Sequence, residues 1–212
     1  MNDNRGYQRP MSAPSLPSLR KGAAVFVDRD GTINKQVGYT KDPSQITLLP
    51  GAAEAIVRLN ARGYLVVMVT NQSAIARGLA TEEEVQRVCS EVALQVAQAS
   101  GGHFDAVYYA PSHPDFPDPR WDVKADWRKP GAGMFRAAAK EFGILLSASW
   151  MVGDGAVDHE AAKAAHGGMR TVVLPSEYHD GDIGADYYAE TLFEAAQIIL
   201  DVDAGFCPIE DF

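Results

Sequence analysis

Asp28 and Asp30 stand on either side of Arg29 at the end of the apolar run Val25-Phe26-Val27. Side chains two residues apart on an extended chain point the same way, so both carboxylates can converge on one small volume. Two anions held together repel unless a divalent metal, a basic partner or a shared proton lies between them. Gly31 then lets the backbone turn away sharply. The pattern predicts a buried strand that delivers acids to its carboxyl-terminal edge, where open α/β sheets bind ligands.

Three more segments repeat that design. The run Leu65-Val66-Val67-Met68-Val69 stops at Thr70-Asn71-Gln72-Ser73, whose hydroxyls, amides and following backbone N–H groups can donate to a phosphoryl oxygen. Arg77-Gly78 follows as a turn bearing a cation. In Arg128-Lys129-Pro130 the proline holds the preceding residue extended, and an Arg fork beside a compact Lys charge is a candidate anion clamp. Trp150-Met151-Val152-Gly153 ends at Asp154, which reaches the same edge as Asp28 and is a candidate metal ligand. Asp158 falls in the first turn of the next helix, where the helix dipole favours an acid in any case, so helix support and a place behind the ligands both fit it.

The elements that position these residues alternate. Strands are expected at 23–28, 64–70, 106–109, 149–153 and 169–174, and helices at 52–61, 81–100, 132–142, 157–166 and 189–202. Such alternation predicts an α/β fold with a doubly wound, mostly parallel sheet and helices on both faces. Thr81 with Glu84 has the spacing of a capping box, and Gly63 and Gly143 fall where helices end. Residues 31–50 and 110–131 lack a helical period and emerge on the strand carboxyl side, where long irregular connections are usually functional.

A chain of 212 residues suits one domain, here 23–202, with a loose arm at 1–22 containing Pro10, Pro14 and Pro17 and a tail at 203–212. The net charge of −9 supplies no basic stripe for nucleic acid, yet a few local cations and a metal can still dominate a cleft. Cys89 and Cys207 give neither a disulfide framework nor a cysteine-based metal pattern, and Cys89 sits in a helical pattern as a small core residue. No apolar stretch has membrane-spanning length, and the first 22 residues hold no signal-like apolar core. A cytoplasmic monomer acting on a small molecule, with neither nucleic acid nor membrane as partner, is the expectation.

In order and chemistry the four segments resemble the haloacid dehalogenase (HAD) superfamily, whose motifs match residues 28–32, 70–73, Lys129 and 153–158. The resemblance covers about residues 23–175. It implies a Rossmann-like fold and Mg²⁺-dependent phosphoryl transfer through an aspartyl-phosphate. Within the superfamily, Asp28-Arg29-Asp30-Gly31-Thr32-Ile33-Asn34 with Gly38-Tyr39, Thr70-Asn71-Gln72-Ser73 with Arg77-Gly78, and Arg128-Lys129-Pro130 are similar to the D-glycero-D-manno-heptose 1,7-bisphosphate phosphatases and the related histidinol-phosphate phosphatases. Those families have no large cap domain, and none is expected here.

The resemblance also implies roles. Asp28 is the nucleophile, and Asp30 the acid that protonates the leaving oxygen and then the base that activates water. Asp28 and Asp154 bind the metal through their side chains, Asp30 through its backbone carbonyl. Thr70 and Lys129 hold the transferring phosphoryl group. Arg128 grips a remote phosphate or hydroxyls, while Gln36, Val37, Gly38, Tyr39, Asn71, Gln72 and Ser73 line the substrate pocket.

Two departures stand out. The zinc loop of such relatives uses a Cys-x-His pair and a Cys-x-Cys before the Arg-Lys, and the corresponding places here hold Ala110, Ser112, Ala125 and Trp127. None is a soft ligand and His113 has no ligating companion, so no zinc is expected. Order in that loop would fall instead to a hydrophobic patch of Phe116, Trp121 and Trp127. Secondly, Gly155 occupies a place where the heptose enzymes often carry Lys, which bears on substrate more than on reaction. The alternatives are therefore histidinol phosphate or another small phosphomonoester as substrate, or a catalytically silent sugar-phosphate-binding module.

Overall fold

The computed structural model describes residues 6–8, 22–122, 124–176 and 181–206. Its strands are β1 (Tyr7–Gln8), β2 (Ala24–Val27), β3 (Leu65–Asn71), β4 (Ala106–Ala110), β5 (Trp150–Gly153), β6 (Arg170–Val173) and β7 (Tyr187–Tyr188). The helices are α1 (Ala52–Ala61), α2 (Glu82–Ser100), α3 (Pro119–Asp122), α4 (Gly133–Phe142), α5 (Ala156–Ala165) and α6 (Leu192–Asp203). One sheet runs in the order β1-β4-β3-β2-β5-β6-β7. All neighbours pair parallel except β1, which pairs antiparallel to β4.

Alternation along each strand builds two cores. Val25 and Val27 of β2 face the layer that holds Ile56, Val88 and Ile199. Ala24 and Phe26 face the opposite layer with Met134, Phe135 and Ala161. Both faces being covered, β2 is buried at every position, which is why its sequence is an unbroken apolar run. Phe26 and Phe135 pack with ring centroids 4.8 Å apart.

Local chemistry sets the helix ends. The Thr81 hydroxyl accepts from Glu84 N at 3.1 Å and Glu84 Oε2 accepts from Thr81 N at 2.8 Å, a complete capping box at the start of α2. Helix α6 begins at Leu192 rather than Ala189, because Thr191 caps it and Ala189 N still donates to Val173 O beside the sheet. Three regions depart from the expected pattern. The arm contributes β1, held to β4 in the register Tyr7↔Tyr108 and Gln8↔Val107. A sixth parallel strand, β7, follows β6. The stretch 110–131 carries α3 and a 3-10 turn at Ala125–Trp127. The rest of the expected arm, residues 1–5 and 9–21, and residues 207–212 of the expected tail lie outside the described residues.

The site follows from topology. From β2 the chain builds outward through β3 and β4, then returns to lay β5 on the other side of β2 and builds outward again. Reversal of this kind opens a crevice at the strand carboxyl ends. Asp28 N donates to Val152 O at 2.9 Å, so β2 and β5 stay paired up to the point where both chains depart. The connection from β2 to α1 holds only the bridges Asp30↔Asn34 and Asn34↔Leu48 and a 3-10 turn at Pro43–Gln45, with no cap domain inserted.

Candidate active site

Lys129 anchors the crevice. Its Nζ lies 2.5 Å from Asp28 Oδ1 and 2.5 Å from Asp158 Oδ1, and donates to Val69 O at 2.9 Å. The backbone beneath it is clamped by Asn71, whose Oδ1 accepts from Lys129 N at 2.9 Å and whose Nδ2 donates to Lys129 O at 3.0 Å. Asp28, Asp154 and Asp158 each bring one carboxylate oxygen within 4.8 Å of the others. These groups line a cavity of about 310 Å³ together with Asp30, Thr70 and Gln36.

Two glycines permit this density. A Cβ on Gly153 would lie 2.4 Å from Asp158 Cγ, and one on Gly31 would lie 2.0 Å from Asp154 Oδ2. Asp158 is thus drawn against the end of β5, where its Oδ2 also accepts from Gly155 N at 3.2 Å. It caps α5 and shares Lys129 with Asp28, a double duty its sequence position only half reveals.

Electrostatics follow from one lysine among three acids. Burial pushes the Asp28 carboxyl up to about 8, with Lys129 opposing and the charges of Asp158 and Asp154 adding to the rise. Asp154 is pushed up to about 6 by burial and by Asp158. Burial alone would lower Lys129, but Asp158 and Asp28 more than offset it and hold the ammonium protonated. Surplus negative charge in a buried all-oxygen donor set fits a hard divalent cation such as Mg²⁺.

Asp30 is held differently. Arg29, buried with 1 % of its surface exposed, donates from Nε to Asp30 Oδ1 at 3.1 Å and from Nη2 to Oδ2 at 2.5 Å. Asn34 and Gln72 add hydrogen bonds of 3.0 and 3.2 Å. Burial pushes the Asp30 carboxyl up, yet Arg29 and the two amides bring it below the ordinary range. Gln72 Nε2 also donates to Thr70 Oγ1 at 3.0 Å, tying the hydroxyl to the Asp30 network. Beyond Asp30, Arg29 Nη1 rests 3.6 Å from Cys89 Sγ. Cys89 is the small core residue its helical pattern implied, but its contact with Arg29, and the Arg29 fork on Asp30, were not foreseen, because polar contacts inside a core give no periodic signal.

Of the expected site residues, Asp28, Asp30, Gln36, Thr70, Asn71, Lys129 and Asp154 line the cavity. Gln72 is buried outside the cavity lining, with its amide bonded to Asp30 and Thr70, which do line it. Ser73 is not among the residues lining the cavity; its backbone carbonyl accepts from Arg77 N at 3.0 Å in the turn that follows β3. Val37, Gly38 and Tyr39 lie exposed on the loop following Gln36. Arg128 is not among the residues lining the cavity.

The loop after β4 is ordered in several places instead of by one aromatic patch. Trp121 enters the core layer of α1, α2 and α6, while Trp127 packs edge-on to Tyr108 with centroids 5.7 Å apart and lies under Lys124 Nζ at 4.1 Å. Phe116 instead lies beneath the Arg77 guanidinium at 4.4 Å. Each aromatic joins the nearest element because the loop crosses from one core layer to the other. Ala110 closes β4, Ser112 is buried, and Ala125 and Trp127 bound the 3-10 turn.

A sheet reversing beside β2, with acids after β2 and β5, a hydroxyl at the end of β3 and a buried lysine before α4, defines a phosphoryl-transfer α/β hydrolase. The haloacid dehalogenase-like hydrolase model matches residues 17–166, and the chain belongs to that family. Among its relatives is D-glycero-beta-D-manno-heptose-1,7-bisphosphate 7-phosphatase of Photorhabdus laumondii, 39% identical over 150 residues that cover 71% of this chain and 79% of the relative. The enzyme of the same name from Yersinia pestis is 34% identical over 178 residues, covering 83% and 94%. The crystal structure of D,D-heptose 1,7-bisphosphate phosphatase from B. bronchiseptica, complexed with magnesium and phosphate, superposes with a TM-score of 0.70 at 28% identity over 85% of this chain and 99% of that one. The chain is a hydrolase of the phosphatase type. Among the described residues no helix is long and apolar enough to cross a membrane.

Proposed function

We propose that this chain is a Mg²⁺-dependent phosphatase that removes the 7-phosphate of a D-glycero-D-manno-heptose 1,7-bisphosphate through an aspartyl-phosphate on Asp28. One observation carries the reading: the Asp28 carboxylate meets Lys129 at 2.5 Å in a cavity where Asp154 and Asp158 crowd within 4.8 Å. Asp28 and Asp154, with the backbone carbonyl of Asp30, would hold Mg²⁺, which when bound neutralises the repulsion between carboxylate and phosphate.

Asp28 attacks phosphorus and the bond to the sugar oxygen breaks as the acyl-phosphate forms. Lys129 and Thr70 hold the transferring oxygens, and the Asn71 clamp keeps the ammonium in place as charge redistributes. Asp30 delivers a proton to the leaving sugar oxygen. To do so its carboxyl turns from Arg29 towards the cavity that it lines, where an incoming phosphate dianion raises its proton affinity. It then takes a proton from the water that attacks phosphorus, and return to the Arg29 fork favours the carboxylate needed for that step. Hydrolysis regenerates the Asp28 carboxylate and releases inorganic phosphate.

Histidinol phosphate is the weaker alternative, since its ammonium would approach the cations Arg128 and Arg77. A silent binding module would have no use for a buried Lys129 poised between two acids. The test is phosphate release from the heptose bisphosphate, histidinol phosphate and p-nitrophenyl phosphate, with Mg²⁺ and with chelator. Mg²⁺-dependent turnover preferring the bisphosphate is expected, as is a folded but inactive Asp28→Asn. Turnover surviving in Asp28→Asn would remove Asp28 as nucleophile.

A further inference from the structure

Gly6, far from the site in sequence, is seated between two elements that frame it. It is buried, its carbonyl accepts from Tyr109 N at 2.9 Å, and its own N–H donates to Glu82 Oε1 at 3.2 Å. The same Glu82 oxygen accepts from the Tyr109 hydroxyl at 2.7 Å, so one carboxylate at the start of α2 ties the arm to β4. Pairing continues through Tyr7↔Tyr108 and Gln8↔Val107 along the outer edge of the sheet. A Cβ on Gly6 would lie 2.7 Å from Tyr109 O and 3.1 Å from Cζ3 of the Trp127 ring. A larger residue fits that seat only by moving one of its walls.

These contacts reach both sides of the Asn71–Lys129 clamp. On the strand side, Tyr109 pairs with Thr70 and Ala110 with Asn71, and Gln72 N donates to Ala110 O at 2.8 Å. On the turn side, Trp127 stands two residues before Lys129, in the 3-10 turn where Arg128 N donates to Ala125 O at 3.3 Å. The indole is hemmed in. A Cβ on Gly133, the first residue of α4, would lie 2.4 Å from its Cδ1, Tyr108 meets it edge-on, and Lys124 Nζ lies over it. Those three walls come from the loop or from β4 and α4, which the loop joins. Gly6 is brought in from a distant part of the chain, and so adds a constraint that the loop cannot make by itself.

We propose that residues 6–8 are a positioning segment: docked on β4, they hold the Trp127 ring in place and so fix the turn that leads into Lys129. The consequence for turnover rests on the phosphatase reading of the cavity; the coupling of arm to turn does not. A two-residue edge strand has few bonds to lose and opens more readily than the central strands. Among the described residues both core layers are built from Ala23 onward, so undocking leaves the fold standing while it loosens the turn.

Gly6→Val in the full chain tests it. Hydrogen exchange read by mass spectrometry, without substrate, should quicken by about tenfold in peptides covering 106–110 and 124–131, the scale of one lost hydrogen bond. Peptides covering 150–153 and 170–173 should exchange as slowly as in wild type. Faster exchange at 106–110 alone would make the segment a cover for the sheet edge and overturn the proposal, as would no change or a uniform rise across the sheet. Turnover of p-nitrophenyl phosphate with Mg²⁺ should fall in Gly6→Val, and Trp127→Leu closes a cycle. If the arm acts through the indole, adding Gly6→Val to Trp127→Leu costs little further turnover; losses that multiply would sink the proposal. Should Trp127→Leu not fold, the exchange pattern of Gly6→Val decides alone. Coupled exchange in a chain that hydrolyses no phosphate ester would support the positioning of the turn while removing the phosphatase reading.

Discussion

Lys129 and Asp158 meet at 2.5 Å although both are almost wholly buried, and the same ammonium serves Asp28. Removing the cation would leave two carboxylates facing each other out of water. Lys129→Met should therefore destabilise the fold by about 3–5 kcal/mol, the usual cost of breaking a buried ion pair from one side. Urea denaturation measures it, and turnover should vanish together with the stability.

Asp158 is the second partner of that lysine and the cap of α5. Asp158→Asn keeps the shape and a hydrogen-bond acceptor for Gly155 N while removing one charge, so the stability loss should be smaller, about 1–2 kcal/mol. Activity should fall because Lys129 is then drawn more tightly to Asp28. A variant as active as wild type would show that Asp158 serves the helix alone.

Gly31 is needed twice over. Its φ of +80° strains any other residue, and a Cβ there would overlap Asp154. Gly31→Ala should cost about 1–3 kcal/mol from backbone strain and displace Asp154 as well. The telling measurement is Mg²⁺ affinity, which should weaken beyond what the change in melting temperature accounts for.

Metal binding should register as stability. Mg²⁺ that binds only the folded chain adds about 2.7 kcal/mol at one hundred times its dissociation constant. Wild type should melt higher with Mg²⁺ than with chelator, and Asp154→Asn should lose most of that increment. Equal shifts in both would move the ion away from Asp154.

Asp186 offers a pH-dependent contact away from the site. Its carboxylate accepts from Lys163 Nζ at 2.8 Å and from Thr171 N at 2.7 Å, and these partners overcome burial to hold its pKa below the ordinary value. A depressed folded pKa contributes stability above the unfolded pKa of about 3.9 and loses it as pH falls through the folded value. The stability advantage of wild type over Asp186→Asn should persist near neutrality and shrink below about pH 4. An advantage independent of pH would mean that the hydrogen bonds, not the charge, hold β6 to the chain leading into β7.

Much of the fold was legible because apolar runs stopped abruptly and helices carried caps. Thr81 with Glu84 located α2 to within a residue. Among the elements that escaped, β1 and β7 are two residues long and owe their form to a neighbouring edge rather than to any pattern of their own. Within the site, the meeting of Asp28 with Asp154 was foreseeable because parallel strands bring their ends to one edge. The stacking of Arg77 on Phe116 was not, since contacts between two irregular loops have no period to read. The bonds that tie Gln72 to Asp30 and Thr70 were likewise not legible, since the side-chain direction two residues after Thr70 depends on the neighbouring loop.

The return of β5 to the flank of β2 makes competence a late property of the chain. Asp28 and Lys129 are separated by 101 positions, and nothing local can join them before the central strands have found their order. Regain of turnover during refolding should consequently trail the recovery of helical signal, since such distant closures are the slow ones. Hydrolysis would then report that assembly has finished, a more demanding criterion than secondary structure alone.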